Sequence, residues 1–354
     1  MIYLGDCRDN IQVVAEQWAN MLYDFMFKER KKKLRIKGRK RAYETYYEKM
    51  EGRVELSCMY KDEQDYSMII LRWFKANFRT IVLAGEKELH DYSQISKLRE
   101  EWGWVPNSTF KEAWGFLKSL MLDLYEDFTQ YKKGNDNNLS NAHYFFQKLN
   151  VRTCPYCNRH YTFTLDDGIV KVSPEYDHFY DKSSHPILAV SFYNLVPSCH
   201  TCNHVKGTKA NAKINPYFSG FKSKFRLLDE KGDKLIVDYD RVSIKERSND
   251  YGKLVYSELT DEEKGNVETF GLQGLYEMHD DYIKELVDKV IAYNPTVRQA
   301  LADAFEDQAY SPQQVYDFVW GRYLEEAQYG NRPLSKLTKD ILEQLGILPD
   351  NDFR

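Results

Sequence analysis

The sequence predicts an α+β fold, mainly helical, with a central strand, strand, helix core around a four-cysteine site and helical regions on either side. Three observations carry this. Cys154-Pro155-Tyr156-Cys157 and Cys199-His200-Thr201-Cys202 are two C-x-x-C pairs in a chain of 354 residues with only six cysteines. On both sides of that segment apolar residues recur at three- and four-residue spacing, the mark of amphipathic helices. Between the pairs, short alternating stretches separated by Asp and Gly read as strands and a turn.

Taken in order, Ile11, Val14, Trp18, Met21, Leu22 and Phe25 outline a first helix. The run Lys28 to Arg41 follows, with ten Lys or Arg and Glu29 as its single acid. From Ala42 to Arg99 the pattern is weaker but mostly helical, including Tyr66 to Phe78, with Gly52 and Gly85 as expected turns. Thr109 and Glu112 read as a capping box opening a helix through Phe110, Trp114, Leu117, Met121, Leu124 and Phe128. Lys132 to Asn138 is a polar break, and a short helix from Leu139 to Leu149 leads to the first cysteine pair. Tyr161 to Leu165 and Ile169 to Val172, joined by Asp166-Asp167-Gly168, read as a hairpin whose return strand leads to Asp177 and His178. A helix is expected from about Cys202. Lys224 to Asp229 and Lys234 to Tyr239 read as a second hairpin about Lys231-Gly232. Beyond it come a capping box at Thr260 and Glu263, a row of Met278, Tyr282, Leu286 and Val290, and a helix capped by Ser311 with Pro312 and Gln314. A last helix runs from about Ser335 to Leu345, stopped by Gly346. The expected divisions are 1–138, 139–220 and 221–354.

Composition narrows the class. Hydrophobic content of 42% and charged content of 29% fit a globular protein. No apolar run approaches the roughly 20 residues of a membrane helix. The opening Met1-Ile2-Tyr3-Leu4-Gly5-Asp6 lacks the features of a signal peptide, so a cytoplasmic protein with no membrane partner is expected. The formal net charge is −4, yet Lys28 to Arg41 carries +9. Such a run is either a solvated helix end or loop, or a phosphate-binding surface, and Lys31, Lys32, Lys33 and Arg35 are the residues singled out for the second reading. No Walker A loop and no dinucleotide fingerprint is present.

The cysteines point to a structural zinc site. Thiolates two residues apart reach one ion from a tight turn, and four of them close a tetrahedral shell without an open position for water. The residues between the pairs point to hydrolysis. Cleaving a phosphodiester requires an activated water and neutralisation of phosphate charge, which a neutral His beside a hard cation on oxygen ligands can supply. Asp177, His178 and Asn203 are of the right types, and Asn203 directly follows Cys202. On an extended strand Asp177 and His178 face opposite sides, so a bend is expected there. Lys182, Lys206 and Lys209 are candidates to meet phosphate oxygens. His160, His185, His200 and His204 read as hydrogen-bonding or phosphate-contacting residues and not as ligands, because the cysteines already complete the zinc shell.

These residues resemble the HNH endonucleases of the ββα-metal fold, in their zinc-containing subgroup. The pattern is C-P-Y-C, then D-H-F-Y-D-K-S, then Y-N-L-V-P-S-C-H-T-C-N-H-V-K-G, within about residues 154 to 209. The resemblance implies that Asp177 and Asn203 hold a catalytic Mg²⁺ or Mn²⁺, that His178 is the general base, and that Asn194 braces the loop carrying it. Gly207 stands where His-rich members place a further ligand. A looser likeness at Asn215-Pro216-Tyr217 and Arg332 to Leu337 extends to HNH effectors of bacterial anti-phage defence, of the Septu and retron-associated kind, which work beside an ABC-type ATPase. The expected function is cleavage of nucleic acid, DNA by family likeness. The alternatives are an inactive zinc-nucleated module that binds nucleic acid or protein, and a free-standing restriction or homing nuclease.

Overall fold

The computed structural model describes the chain apart from residues 9, 29–32, 37–38, 59, 133–138, 168, 230, 237–251, 307–310 and 348–354. It is mainly helical, with four two-stranded sheets among the described residues. The chain forms two compact units that interleave in sequence. One comprises residues 1–8, 151–162 and 198–354; the other comprises residues 9–150 and 163–197. We call them the cysteine unit and the aromatic unit.

The aromatic unit is organised by the helix Ile11–Phe27, whose buried stripe includes Ile11, Val14, Trp18, Leu22 and Phe25. Met21, expected in that stripe, is half-buried. Trp18 meets Phe128 and Phe145 edge-on, each at 4.9 Å between ring centroids. The helix carrying Phe128 runs Asn107–Gln130 and begins two residues before Thr109, so the expected capping box is not formed. Pro106 instead starts it, its fixed φ of −52° leading in and its carbonyl accepting the first bond, from Phe110 N at 3.0 Å. A capping box that was not anticipated, Thr45 with Glu48, opens the helix Tyr46–Ser57. Gly52 lies inside that helix, not at a turn: the Tyr43 ring rests where a Cβ would project. Gly85 does separate two helices, as the N-cap of Glu86–Ser93. The basic run contains two paired strands, Lys33–Ile36 and Arg39–Ala42. Lys33 and Arg35 fall on the first; Lys31 and Lys32 lie outside the described residues.

In the cysteine unit, the strands Lys224–Leu228 and Lys253–Ser257 pair over five residues. The expected partner of the first strand, Lys234 to Tyr239, contributes only an isolated bridge at Leu228 and Lys234, and its residues 237–239 lie outside the described residues. The final helix, Ser335–Gln344, supplies side chains to the strand's backbone. Gln344 exchanges hydrogen bonds of 2.9 and 2.8 Å with Leu227, and Asp340 Oδ2 accepts from Phe225 N at 3.0 Å. This satisfies groups an edge strand would otherwise leave open. The capping boxes at Thr260–Glu263 and Ser311–Gln314 are both present. Met278 leaves its expected row: it lies beyond the helix Leu272–Glu277 and is exposed, and the helix Asp280–Ala292 buries Ile283, Leu286, Val287 and Val290.

Candidate functional site

Cys154, Cys157, Cys199 and Cys202 are all in the cysteine unit, all buried, with sulfur atoms within 4.8 Å of one another. A tetrahedral ion with Zn–S bonds of about 2.3 Å sets its sulfurs about 3.8 Å apart, and Cys157 Sγ and Cys199 Sγ are 4.0 Å apart. The donor set fits zinc. Each C-x-x-C loop turns backbone amides toward sulfur: Arg159 N donates to Cys157 Sγ and Cys202 N to Cys199 Sγ, each at 3.4 Å. Cys199 is the N-cap of the helix His200–Lys206, so the second pair is fixed by a helix start. Hydrogen bonds from Cys154 hold the Cys157 and Cys199 thiols below the ordinary cysteine value, while burial pushes Cys154 up. Four buried thiols cannot all ionise without a cation among them, and a metal ion would supply that charge. Among the described residues this is the one cluster of three or more His, Cys, Asp or Glu donors that could hold a metal ion.

Asn158, directly after the first cysteine pair, anchors the site. Its backbone is left-handed, at φ +46°, a conformation that Asn tolerates better than most residues. Its Nδ2 donates to Thr153 Oγ1 at 3.1 Å and to Tyr329 O at 3.0 Å, and its carbonyl accepts from Leu334 N at 2.6 Å. The sequence did not single it out, although an Asn closing a tight cysteine turn is a readable signal. Tyr276 donates its hydroxyl to Cys157 O, and Tyr156 stacks on Phe270 at 4.3 Å. Those partners come from more than 110 positions away, and no local pattern reveals them.

Asp177, His178 and Asn194 belong to the aromatic unit. The strand that carries the first two is Glu175–His178, and it pairs with Leu195–Ser198, the strand leading to Cys199. In chain order the helix His200–Lys206 follows these two strands, which are not the strands expected. The Tyr161 to Val172 hairpin pairs only at Leu165 with Val172 and Asp166 with Lys171. The expected bend between Asp177 and His178 is also displaced, since the strand stays extended through His178 and bends at Phe179 and Tyr180. Alternation therefore puts Tyr176 and His178 on one face and Asp177 on the other. Tyr176 stacks on Phe146 at 4.0 Å, and the His178 ring lies edge-on to Tyr125 at 4.7 Å. Asp177 and His178 are 2% and 8% exposed.

The buried 3-10 helix Pro186–Val190 explains how His178 is held. Its last three carbonyls each accept a side-chain donor: Leu188 O from Asn194 Nδ2 at 3.0 Å, Ala189 O from His178 Nε2 at 3.0 Å, and Val190 O from Trp18 Nε1 at 2.9 Å. A helix end buried without such partners would be costly. A carbonyl only accepts, so Nε2 carries the proton and the lone pair of the neutral ring is on Nδ1. Asn194 also accepts from Tyr180 N at 2.7 Å and donates to Tyr180 O at 3.1 Å, which fixes the backbone just past the strand. Lys182 places Nζ 4.6 Å from the centre of the same Tyr125 ring that touches His178. Burial lowers its amine below the ordinary lysine value, against the pull of Glu126 and Asp181.

Asn203 is partly exposed on the His200–Lys206 helix of the cysteine unit. Lys206, on the same helix, is 1% exposed, and Lys209 is exposed. His200 and His204 are exposed and stack on each other at 5.8 Å. No helix among the described residues is long and apolar enough to cross a membrane. No protein-family model matches the chain, and neither a curated protein nor a solved structure matches it.

Proposed function

We propose that the protein is a metal-dependent endonuclease of the HNH type that hydrolyses phosphodiester bonds of nucleic acid, DNA by the likeness of its motif. The observation that carries the reading is the hydrogen bond from His178 Nε2 to Ala189 O. It leaves the basic lone pair on Nδ1, on a ring held by Tyr125 and by a strand that Asn194 anchors. His178 then takes a proton from water at Nδ1 while the water oxygen attacks phosphorus and the bond to the leaving oxygen breaks. Lys182, whose Nζ lies over the Tyr125 ring, offers positive charge for phosphate. By the likeness of the motif alone, Asp177 and Asn203 would hold Mg²⁺ or Mn²⁺ to neutralise phosphate charge; the extended strand sets Asp177 on the face opposite His178. Zinc held by the four cysteines would take no part in the chemistry and would fix the start of the helix that bears Asn203.

By the same likeness the reading extends to an effector of bacterial anti-phage defence acting with an ABC-type ATPase. The second reading, a zinc-nucleated binding module without the reaction, draws support from the same hydrogen bond, because satisfying the buried Ala189 carbonyl is a structural task in itself. Cleavage assays with Mn²⁺ or Mg²⁺ decide between them. His178→Ala should abolish cleavage of a plasmid or duplex while binding persists, and cleavage at the wild-type rate would overturn the nuclease reading. Lys31, Lys32, Lys33 and Arg35 changed together to Ser should weaken binding alike for unrelated sequences and flatten its salt dependence, each phosphate contact contributing about 0.9 to the log-log slope.

A further inference from the structure

In the cysteine unit a cavity of about 530 Å³ lies among the Met1–Tyr3 segment, residues 218–224 and the final helix. That size is within the roughly 300–1,000 Å³ typical of small-ligand sites. Backbone bonds fix its walls. Ile2 N donates to Pro155 O at 2.9 Å, Leu4 N to Pro216 O at 2.8 Å, and Phe221 N to Met1 O at 3.3 Å. At Gly220 the two segments come so close that a Cβ would stand 2.8 Å from Tyr3 N, so only glycine permits this wall.

The charges of the lining are unequal. Lys222, Lys224, Lys336 and Lys339 face Glu326, Asp340 and Glu343. Lys336 is committed to Asp340 at 2.8 Å, both side chains less than one-tenth exposed, and Lys224 is committed to Glu343. Lys222 and Lys339 form no ion pair among the described residues, although Lys339 lies close enough to Glu343 to help hold its carboxyl low, so two further ammonium groups border the cavity beside Glu326. Tyr3, Phe218 and Tyr329 also line the cavity.

We propose that this cavity binds a small organic phosphate, with the phosphate on Lys222 and Lys339 and the apolar part of the ligand against Tyr3 and Phe218. Lysine ammonium groups meet phosphate as point charges, and a ring-lined wall favours an organic ester over the bare ion. This site is independent of any cleavage by the protein and would serve to sense a metabolite. The test is titration calorimetry on the full chain with adenosine monophosphate and, separately, inorganic phosphate as probes. Adenosine monophosphate should bind one per chain, more tightly than inorganic phosphate. Lys222→Ser with Lys339→Ser should weaken it at least about tenfold with an unchanged melting temperature, and His178→Ala should leave it unaltered. No heat from either probe at millimolar concentration, equal affinity for the two probes, or full affinity in the double lysine variant would each overturn the proposal. Loss of binding in His178→Ala would do so as well, by placing the nucleotide at the other site.

Discussion

The cysteine unit and the aromatic unit solve the same problem, a buried polar centre, in opposite ways. In the first, four buried sulfurs converge from two C-x-x-C turns in a cluster that could hold a metal ion. In the second, three successive carbonyls at Leu188, Ala189 and Val190 take neutral donors from Asn194, His178 and Trp18. A metal centre draws its stability from an ion that unfolded chain binds poorly. The carbonyl centre draws its stability from aromatic packing that brings Trp18 to a residue 172 positions away. The first is therefore expected to respond to chelators and the second to the loss of a single ring.

The largest effect expected is at the cysteines. Cys199→Ala with Cys202→Ala should remove zinc and unfold the cysteine unit, because structural zinc supplies on the order of 10 kcal/mol to small sites. Metal analysis and near-UV circular dichroism read this; a folded double variant would show that the sulfurs do not hold a metal. Next is Trp18→Ala, which should cost about 3–5 kcal/mol in the aromatic unit, since it empties a site ringed by Phe128, Phe145, Tyr176 and Phe192. Zinc content should stay at one per chain. Loss of the metal in this variant would mean that the two centres are not separately maintained.

Asn158→Gly tests a smaller contribution. Glycine keeps the left-handed backbone at no steric cost, so the change isolates the side-chain bonds to Thr153, Tyr329, Arg332 and Lys336, at about 2 kcal/mol. Denaturant midpoints give the comparison, and an unchanged midpoint would reduce Asn158 to a turn residue.

The smallest effect concerns Glu263, whose carboxylate accepts from Lys222 N, Ser223 N and Thr260 N. Burial alone would raise its pKa, but the backbone bonds from Ser223, Thr260 and Lys222 outweigh it and hold the carboxyl below its ordinary value of 4.5. A depressed folded value means that the stabilisation is present above the unfolded pKa and is lost as pH falls through the folded one. Glu263→Gln should thus lower stability at pH 7 and reduce its loss on acidification below about 4.5. Thermal melts at pH 7 and pH 3.5 measure both, and parallel losses in the two proteins would remove Glu263 from the acid response.

Where a structural element answers to neighbours in sequence, the chain alone specified it. The two C-x-x-C turns, the helix periodicity of Ile11 to Phe25, and the capping boxes at Thr260 and Ser311 depend on groups three or four residues apart, and each is where the pattern put it. Thr109 had the right pattern and lost to Pro106, whose backbone constraint starts the helix earlier. Strand pairing was decided only in three dimensions. Glu175–His178 could not be matched with Leu195–Ser198, nor Lys224–Leu228 with Lys253–Ser257, because alternation along a strand does not name its partner. The same holds for the surroundings of Asp177 and His178. Their adjacency was plain, but the Ala189 carbonyl that sets the imidazole tautomer and the Tyr125 ring that packs against it come from a 3-10 helix and from the Asn107–Gln130 helix. Hydrogen-bond satisfaction and ring packing in a core are properties of what surrounds a residue, and the surroundings exist only once the chain has closed on itself.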